Sequence, residues 1–101
     1  MRVHTLKSWP EPFAAVENGS KTYEIRKDDR GFMVGDRLKL CEWEPNAERV
    51  ELFCGRMIRV SGDGCGFTGR KILVEVTHKT HGGSWGLPGD LCVLGIRRVE
   101  E

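Results

Sequence analysis

Lys71-Ile72-Leu73-Val74-Glu75-Val76-Thr77-His78 sets three consecutive apolar residues ahead of an alternating stretch. Such a run fits a strand covered on at least one face, and it predicts a central strand. Downstream, His81-Gly82-Gly83-Ser84-Trp85-Gly86-Leu87-Pro88-Gly89-Asp90 is dense in glycine and carries one large aromatic, the make-up of a loop that lines a site. Leu91 to Val99 supplies the last strand. Upstream, Arg37 to Trp43 reads as a strand with Leu38 and Leu40 inward. It is entered through the turns Asp28-Asp29-Arg30-Gly31 and Val34-Gly35-Asp36 and closed by Glu44-Pro45-Asn46.

Thr22 to Lys27 alternates, with Tyr23 and Ile25 on one face and Thr22, Glu24 and Arg26 on the other, the period of a half-buried strand. Val3 to Leu6 forms a short first strand, and Ser8-Trp9-Pro10-Glu11 has the form of a capping box that opens a helix of about two turns. Pro12 lacks the amide that a cap at Ser8 would bond, which leaves Ser8, Trp9 and Pro10 open as the cap. Phe13 and Val16, three apart, face the core, and Asn18-Gly19 ends the helix with a left-handed residue.

Between Glu48 and Phe67, Val50, Leu52 and Cys54 alternate, as do Ile58 and Val60, which predicts a hairpin with its turn near Gly55. Ser61-Gly62-Asp63-Gly64-Cys65-Gly66 is rich in glycine, but it follows no strand-to-helix junction and lacks the lysine of a phosphate loop, so it reads as a flexible loop. With 101 residues the chain has room for one hydrophobic core. The reading is one domain over residues 1–101, with a hairpin insertion at about 46–68. Its class is α+β: a small, partly closed β-barrel of about five strands, with one short helix after the first strand lying across an opening. Closure of this kind removes exposed edges.

Composition is that of a soluble globular chain, 39% hydrophobic and 31% charged. Sixteen Lys and Arg against fifteen Asp and Glu leave a formal net charge of +1, so any basic surface has to be local. Met1-Arg2-Val3-His4 lacks the features of a signal peptide, and no apolar run approaches the roughly 20 residues that span a bilayer. No membrane association and a cytoplasmic location are the expectations. Cys41, Cys54, Cys65 and Cys92 are widely spaced and read as free thiols, Cys41 and Cys92 within the core. His78 and His81 are three apart, but no C-x-x-C pair stands opposite them, so no metal site and no cofactor are expected.

The densest chemistry lies in Asn18-Gly19-Ser20-Lys21-Thr22-Tyr23-Glu24-Ile25-Arg26-Lys27. Alternation groups Glu24 with Arg26, where an ion pair would fix the guanidinium fork towards a phosphate or base edge. Lys21 falls on the other face unless a twist or bulge after Gly19 turns it back. The bland reading is a solvated Glu24–Arg26 pair of small value beside a turn lysine.

The string Gly19-Ser20-Lys21-Thr22-Tyr23-Glu24-Ile25-Arg26, followed by Val34-Gly35-Asp36 and a strand, resembles the signature of ASCH domains, relatives of the PUA RNA-binding domains. His4-Thr5-Leu6-Lys7, Pro10, Phe13, Asp29-Arg30, Phe32 and Thr68-Gly69-Arg70 further resemble DUF3850, an uncharacterised ASCH-like family of bacteria and phages. The resemblance implies a PUA-like barrel with a cavity between helix and strands and a part in RNA metabolism. One enzymatic ASCH branch hydrolyses N4-acetylcytidine with a lysine, a threonine and a glutamate. Its lysine corresponds to Lys21, but its threonine falls on Glu24 and its glutamate has no counterpart here.

Three functions follow, and whether the protein is an enzyme stays open. A binding module for RNA or a nucleotide-like small molecule would use Lys21, Glu24, Arg26, Lys27 and Arg30, with Trp85 or Trp43 for stacking. Trp43, at the end of an alternating strand, also suits the core. His4 and Lys7 join the ligand set if the first strand borders the cavity. A hydrolase acting on RNA or a modified nucleoside would use Lys21 as base or nucleophile, Glu24 as proton relay and Arg26 to stabilise negative charge. A protein-interaction module of a phage or bacterium would use the charged turn and the hairpin. A concave pocket collecting Lys21, Glu24 and Arg26 separates the ligand readings from the third.

Overall fold

Alternating apolar residues at Leu38 and Leu40 of β3 (Arg37–Trp43) and at Ile72, Val74 and Val76 of β6 (Phe67–His81) put one face of each strand into a common core. The computed structural model describes residues 1–44, 48–53, 56–61 and 66–99, the segments 48–53 and 56–61 by their backbone. β1 (Val3–Ser8) pairs parallel with β3; β3 with β6, β6 with β7 (Leu91–Arg98) and β7 with β2 (Tyr23–Lys27) are antiparallel. The order β1-β3-β6-β7-β2 makes β1 and β2 the two edges. Register shifts between Cys41 and Trp43 and between Val76 and His78 bend the sheet, as bulges do, into a curled half-barrel.

Helix α1 (Pro10–Glu17) follows β1 and lays Phe13 and Val16 into the core beside Leu6, Leu38, Leu94 and Ile96. The architecture is therefore the small α+β half-barrel of five strands and one short helix that the pattern predicts. Trp9 is the N-cap, without a side-chain cap bond, and Pro10 takes the first turn where its missing N–H costs nothing. The capping box does not form: Ser8 is the buried last residue of β1, so the strand runs two residues beyond Leu6. Cys41 and Cys92 are buried free thiols. β4 (Glu48–Phe53) and β5 (Arg56–Ser61) pair as an antiparallel hairpin, a sheet of their own. The turn near Gly55, Cys54, Cys65 and the glycines at 62 and 64 lie outside the described residues. Among those described, no helix is long and apolar enough to cross a membrane.

β2 corrects one expectation. The alternation holds, but the Glu24–Arg26 pair is not the solvated one of the bland reading: Glu24 is 4% exposed, whereas Tyr23 and Ile25 are 45% and 52% exposed. The register settles this, since Glu24 and Arg26 oppose Leu94 and Cys92, both inward residues of β7.

The turn before β3 carries a second buried acid. Asp36 accepts from the Arg2 amide (3.1 Å), the Met33 amide (3.1 Å) and His4 Nε2 (2.9 Å). His4 also packs edge-on against Phe32, with centroids 4.7 Å apart. Burial alone would raise the Asp36 carboxyl, but the His4 and backbone hydrogen bonds outweigh it and hold it at about 2, below the ordinary 3.8. A depressed acid stabilises the fold above its unfolded value and loses that contribution as pH falls through the folded one. Stability should accordingly decline between pH 3.8 and about 2 by the order of 1–2 kcal/mol, allowing for screening. Urea unfolding across that range should show the decline in the wild type and a flattened slope in Asp36→Asn.

Candidate functional site: a buried carboxylate between two cations

Gly19 ends the helix at φ 85°, a left-handed conformation natural to glycine, and the chain re-enters through Lys21, whose amide donates to Ala15 O at 3.0 Å. This turn, completed before β2 begins at Tyr23, brings Lys21 back to the face of Glu24. Lys21 Nζ lies 2.8 Å from Glu24 Oε1, and Arg26 Nε lies 3.2 Å from Glu24 Oε2. Tyr23 lies alongside, its ring centroid 5.0 Å from the Lys21 ammonium. The carboxylate is thus taken out of water with a cation on each oxygen, and the trio carries a net single positive charge. Desolvation of three charges makes such a cluster a poor source of stability compared with apolar packing.

Arg26 does more than pair with Glu24: its Nη2 donates to Lys7 O, on the free edge of β1. Arg30 Nη1 donates to Thr5 O, two residues back along the same edge, at 3.0 Å. The two guanidinium groups therefore cross the open seam of the half-barrel from the β2 side to β1. Arg2 anchors the same crossing by donating Nη2 to Arg30 O and Gly31 O. Lys79 bonds Phe32 O (2.9 Å) and pairs with Asp28 (2.9 Å) from beneath.

The other expected residues distribute around this centre. Lys27, exposed, alternates with Arg26 and so points away from Glu24. The Lys7 ammonium stands 4.6 Å above the Trp43 ring on the outer face of β1, and Trp43 also meets Trp9 edge-on at 5.3 Å. His4 points inward to Asp36, away from the seam's outer edge. Trp85 sits in the loop after β6, which borders the charged turn where Asp28 N donates to Asp90 O at 2.9 Å. Its indole is 94% exposed on a residue at φ 57°. Gly82 holds the base of that loop: a Cβ there would come within 2.4 Å of Pro88 O and 2.5 Å of Leu91 O. Burial pushes the Cys92 thiol up, with the Asp28 charge adding to it, as befits an inert core thiol.

Glu42 escaped the sequence reading. It is a buried carboxylate on β3 that accepts from Thr68 Oγ1 at 2.8 Å and faces Arg70 Nη1 at 3.5 Å. Arg70 also bonds Glu17 at the end of α1, holding that carboxyl below its ordinary value, and lies 5.1 Å from the Phe13 ring. Thr68-Gly69-Arg70 therefore ties the helix to the sheet. The only sequence signal was that motif itself, since its acidic partners lie 26 to 53 residues away.

A sequence model of DUF3850, a domain of unknown function, matches residues 3–96. The chain is also similar to an uncharacterised 12.9 kDa protein in the GpA 3′ region of Escherichia phage P2, 30% identical over 84 residues. The aligned region covers 83% of this chain and 60% of that relative, so the chain spans less than two thirds of the relative's length.

Removing Glu24 leaves two facing, largely buried cations without their shared carboxylate. Glu24→Ala should cost about 3–5 kcal/mol in urea unfolding. Tyr23→Ala and Ile25→Ala, on the exposed face, should each cost about 1 kcal/mol or less. Larger losses at Tyr23 and Ile25 than at Glu24 would restore the opposite assignment of faces.

Proposed function

The chain belongs to the DUF3850 family, and on that premise we propose that it binds RNA or a nucleotide-like small molecule at the segment from Lys21 to Arg30. The observation that carries this reading is Glu24, buried and hydrogen-bonded by both Lys21 and Arg26. A carboxylate so placed sets the direction of two cationic donors before any ligand arrives, which lowers the ordering cost of gripping a phosphate or base edge. Arg30 on the same seam adds a further cation, and Trp85 on the neighbouring loop offers a solvated ring for stacking. In this reading DUF3850 is a branch of the ASCH and PUA-like barrels, and the protein works on RNA in the cytoplasm, without a cofactor.

A second reading, hydrolysis of RNA or a modified nucleoside, is favoured by one observation. Lys21 and Glu24 are in direct contact at 2.8 Å, the distance asked of a nucleophile or base and its relay. Arg26 would then stabilise developing negative charge.

An amide-resolved NMR titration with nucleoside monophosphates, modified nucleosides and short RNA tests both. Shifts should concentrate at Lys21 to Arg30, and Lys21→Ala plus Arg26→Ala should weaken binding of the monophosphate at least about tenfold, as expected for losing two charge-assisted contacts. Conversion of a ligand signal would establish the hydrolase. Silence across the panel would refute both and favour a protein partner.

A further inference from the structure

Strand pairing places a second group of cations on the sheet face opposite Glu24. Arg37, Lys39 and Cys41 share the outer face of β3, with Thr5 beside Lys39 on β1 and with Leu73 and Lys71 beside Lys39 and Cys41 on β6. A cleft of ≈ 1000 Å³ runs across this face, and Arg37, Lys39 and Lys71 line it together with Val3, Leu73 and Val99. A second hollow of ≈ 380 Å³ continues from it, sharing Lys39 and Lys71 and reaching Phe67.

The charges are not balanced in the larger cleft, whereas the second hollow also holds Glu42, which Thr68 and Arg70 bind. Among its described lining residues the larger cleft has no carboxylate, in a chain whose net charge is only +1. Neither Lys39 nor Lys71 has an ion-pair partner among the described residues. Glu75, opposite Arg37 on β6, is bound by Arg97. The Arg37 Nε is buried without a hydrogen-bond partner among the described residues. A buried donor left unmet is costly, and an anion seated in the cleft would meet it.

The shape selects the anion. Arg37 and Lys39 lie two residues apart on one strand, about 7 Å, and Lys71 continues the line on the next strand. At the end of that line Trp43 and Phe67 are register partners, and Lys7 stands over the Trp43 ring. Spaced cations leading to Phe67, an aromatic ring that lines the second hollow, suit a polymer of alternating phosphates and flat bases.

We propose that the outer face of β1, β3 and β6 is a track for single-stranded nucleic acid, with Arg37, Lys39 and Lys71 on the phosphates and Phe67, at the end of the line, taking a base. This surface lies on the other side of the sheet from Lys21 and Glu24, and it stands whether or not that site holds a nucleotide.

The test is fluorescence anisotropy of a labelled, mixed-sequence single-stranded RNA of about a dozen nucleotides with the whole chain, between roughly 50 and 200 mM salt. Lys39→Ala plus Lys71→Ala should weaken binding at least about tenfold and reduce the salt slope by about 1.4, two phosphate contacts at about 0.7 each. Lys71→Glu, a change at an exposed position, should weaken it without altering the melting temperature. The same Lys39 and Lys71 variant should leave unchanged any amide shifts that a nucleoside monophosphate induces at Lys21 to Arg30, which separates this surface from the Lys21 site. Three outcomes would overturn the proposal: no binding by the wild type at low salt, affinity of the Lys39 and Lys71 variant within about twofold of wild type, or equal displacement by poly-glutamate.

Discussion

The half-barrel depends on how its seam is closed. Five strands curl far enough to bring the two edges near each other, yet β1 and β2 are not hydrogen-bonded neighbours. Arg26 and Arg30 span the gap by donating to Lys7 O and Thr5 O, carbonyl groups on an edge that no described strand covers. An uncovered edge is a liability, and a guanidinium over its carbonyls answers part of it. Glu24 is the reason the closure has a fixed geometry: by holding Arg26 Nε it leaves Nη2 aimed across the seam. The same carboxylate fixes Lys21, so the seam and the candidate site are one set of interactions serving two ends.

This arrangement explains what the sequence could and could not disclose. The period of residues 22 to 27 was legible because alternation needs only local information. The face was not, because the usual rule sends Tyr23 and Ile25 inward and cannot see that Glu24 and Arg26 satisfy each other. Lys21 was placed on the opposite face by strict alternation. The observed chain turns it back before the strand starts, an option that the glycine at position 19 opened without deciding. The strands around Leu38, Val74 and Leu94 were readable because their inward residues are apolar and each pairs antiparallel with at least one neighbour.

The buried acids were harder to find than the core. Asp36 was visible only as the end of a turn, since His4 and Arg2, which define its environment, lie 32 and 34 residues away. Glu42 gave no sign, its partners being on β6 and the end of α1. In each case the informative fact is a long-range pairing of charges, which composition and period do not encode. The basic outer face is of the same kind: Arg37, Lys39 and Lys71 are ordinary cations in the sequence until the register sets them side by side.

The parallel pairing of β1 with β3 has a consequence for how the chain assembles. β6 and β7 pair antiparallel across a single loop, whereas β1 pairs with a strand more than thirty residues downstream and cannot join it by a hairpin. Loop closure is entropically costly before its contacts form, so the β6–β7 hairpin is expected to form ahead of the first strand and its helix. That first strand is held on one side by β3 and on the other by two side chains. Its amides therefore define the lowest rung of opening in native-state hydrogen exchange, and the seam is the natural breathing point of the fold.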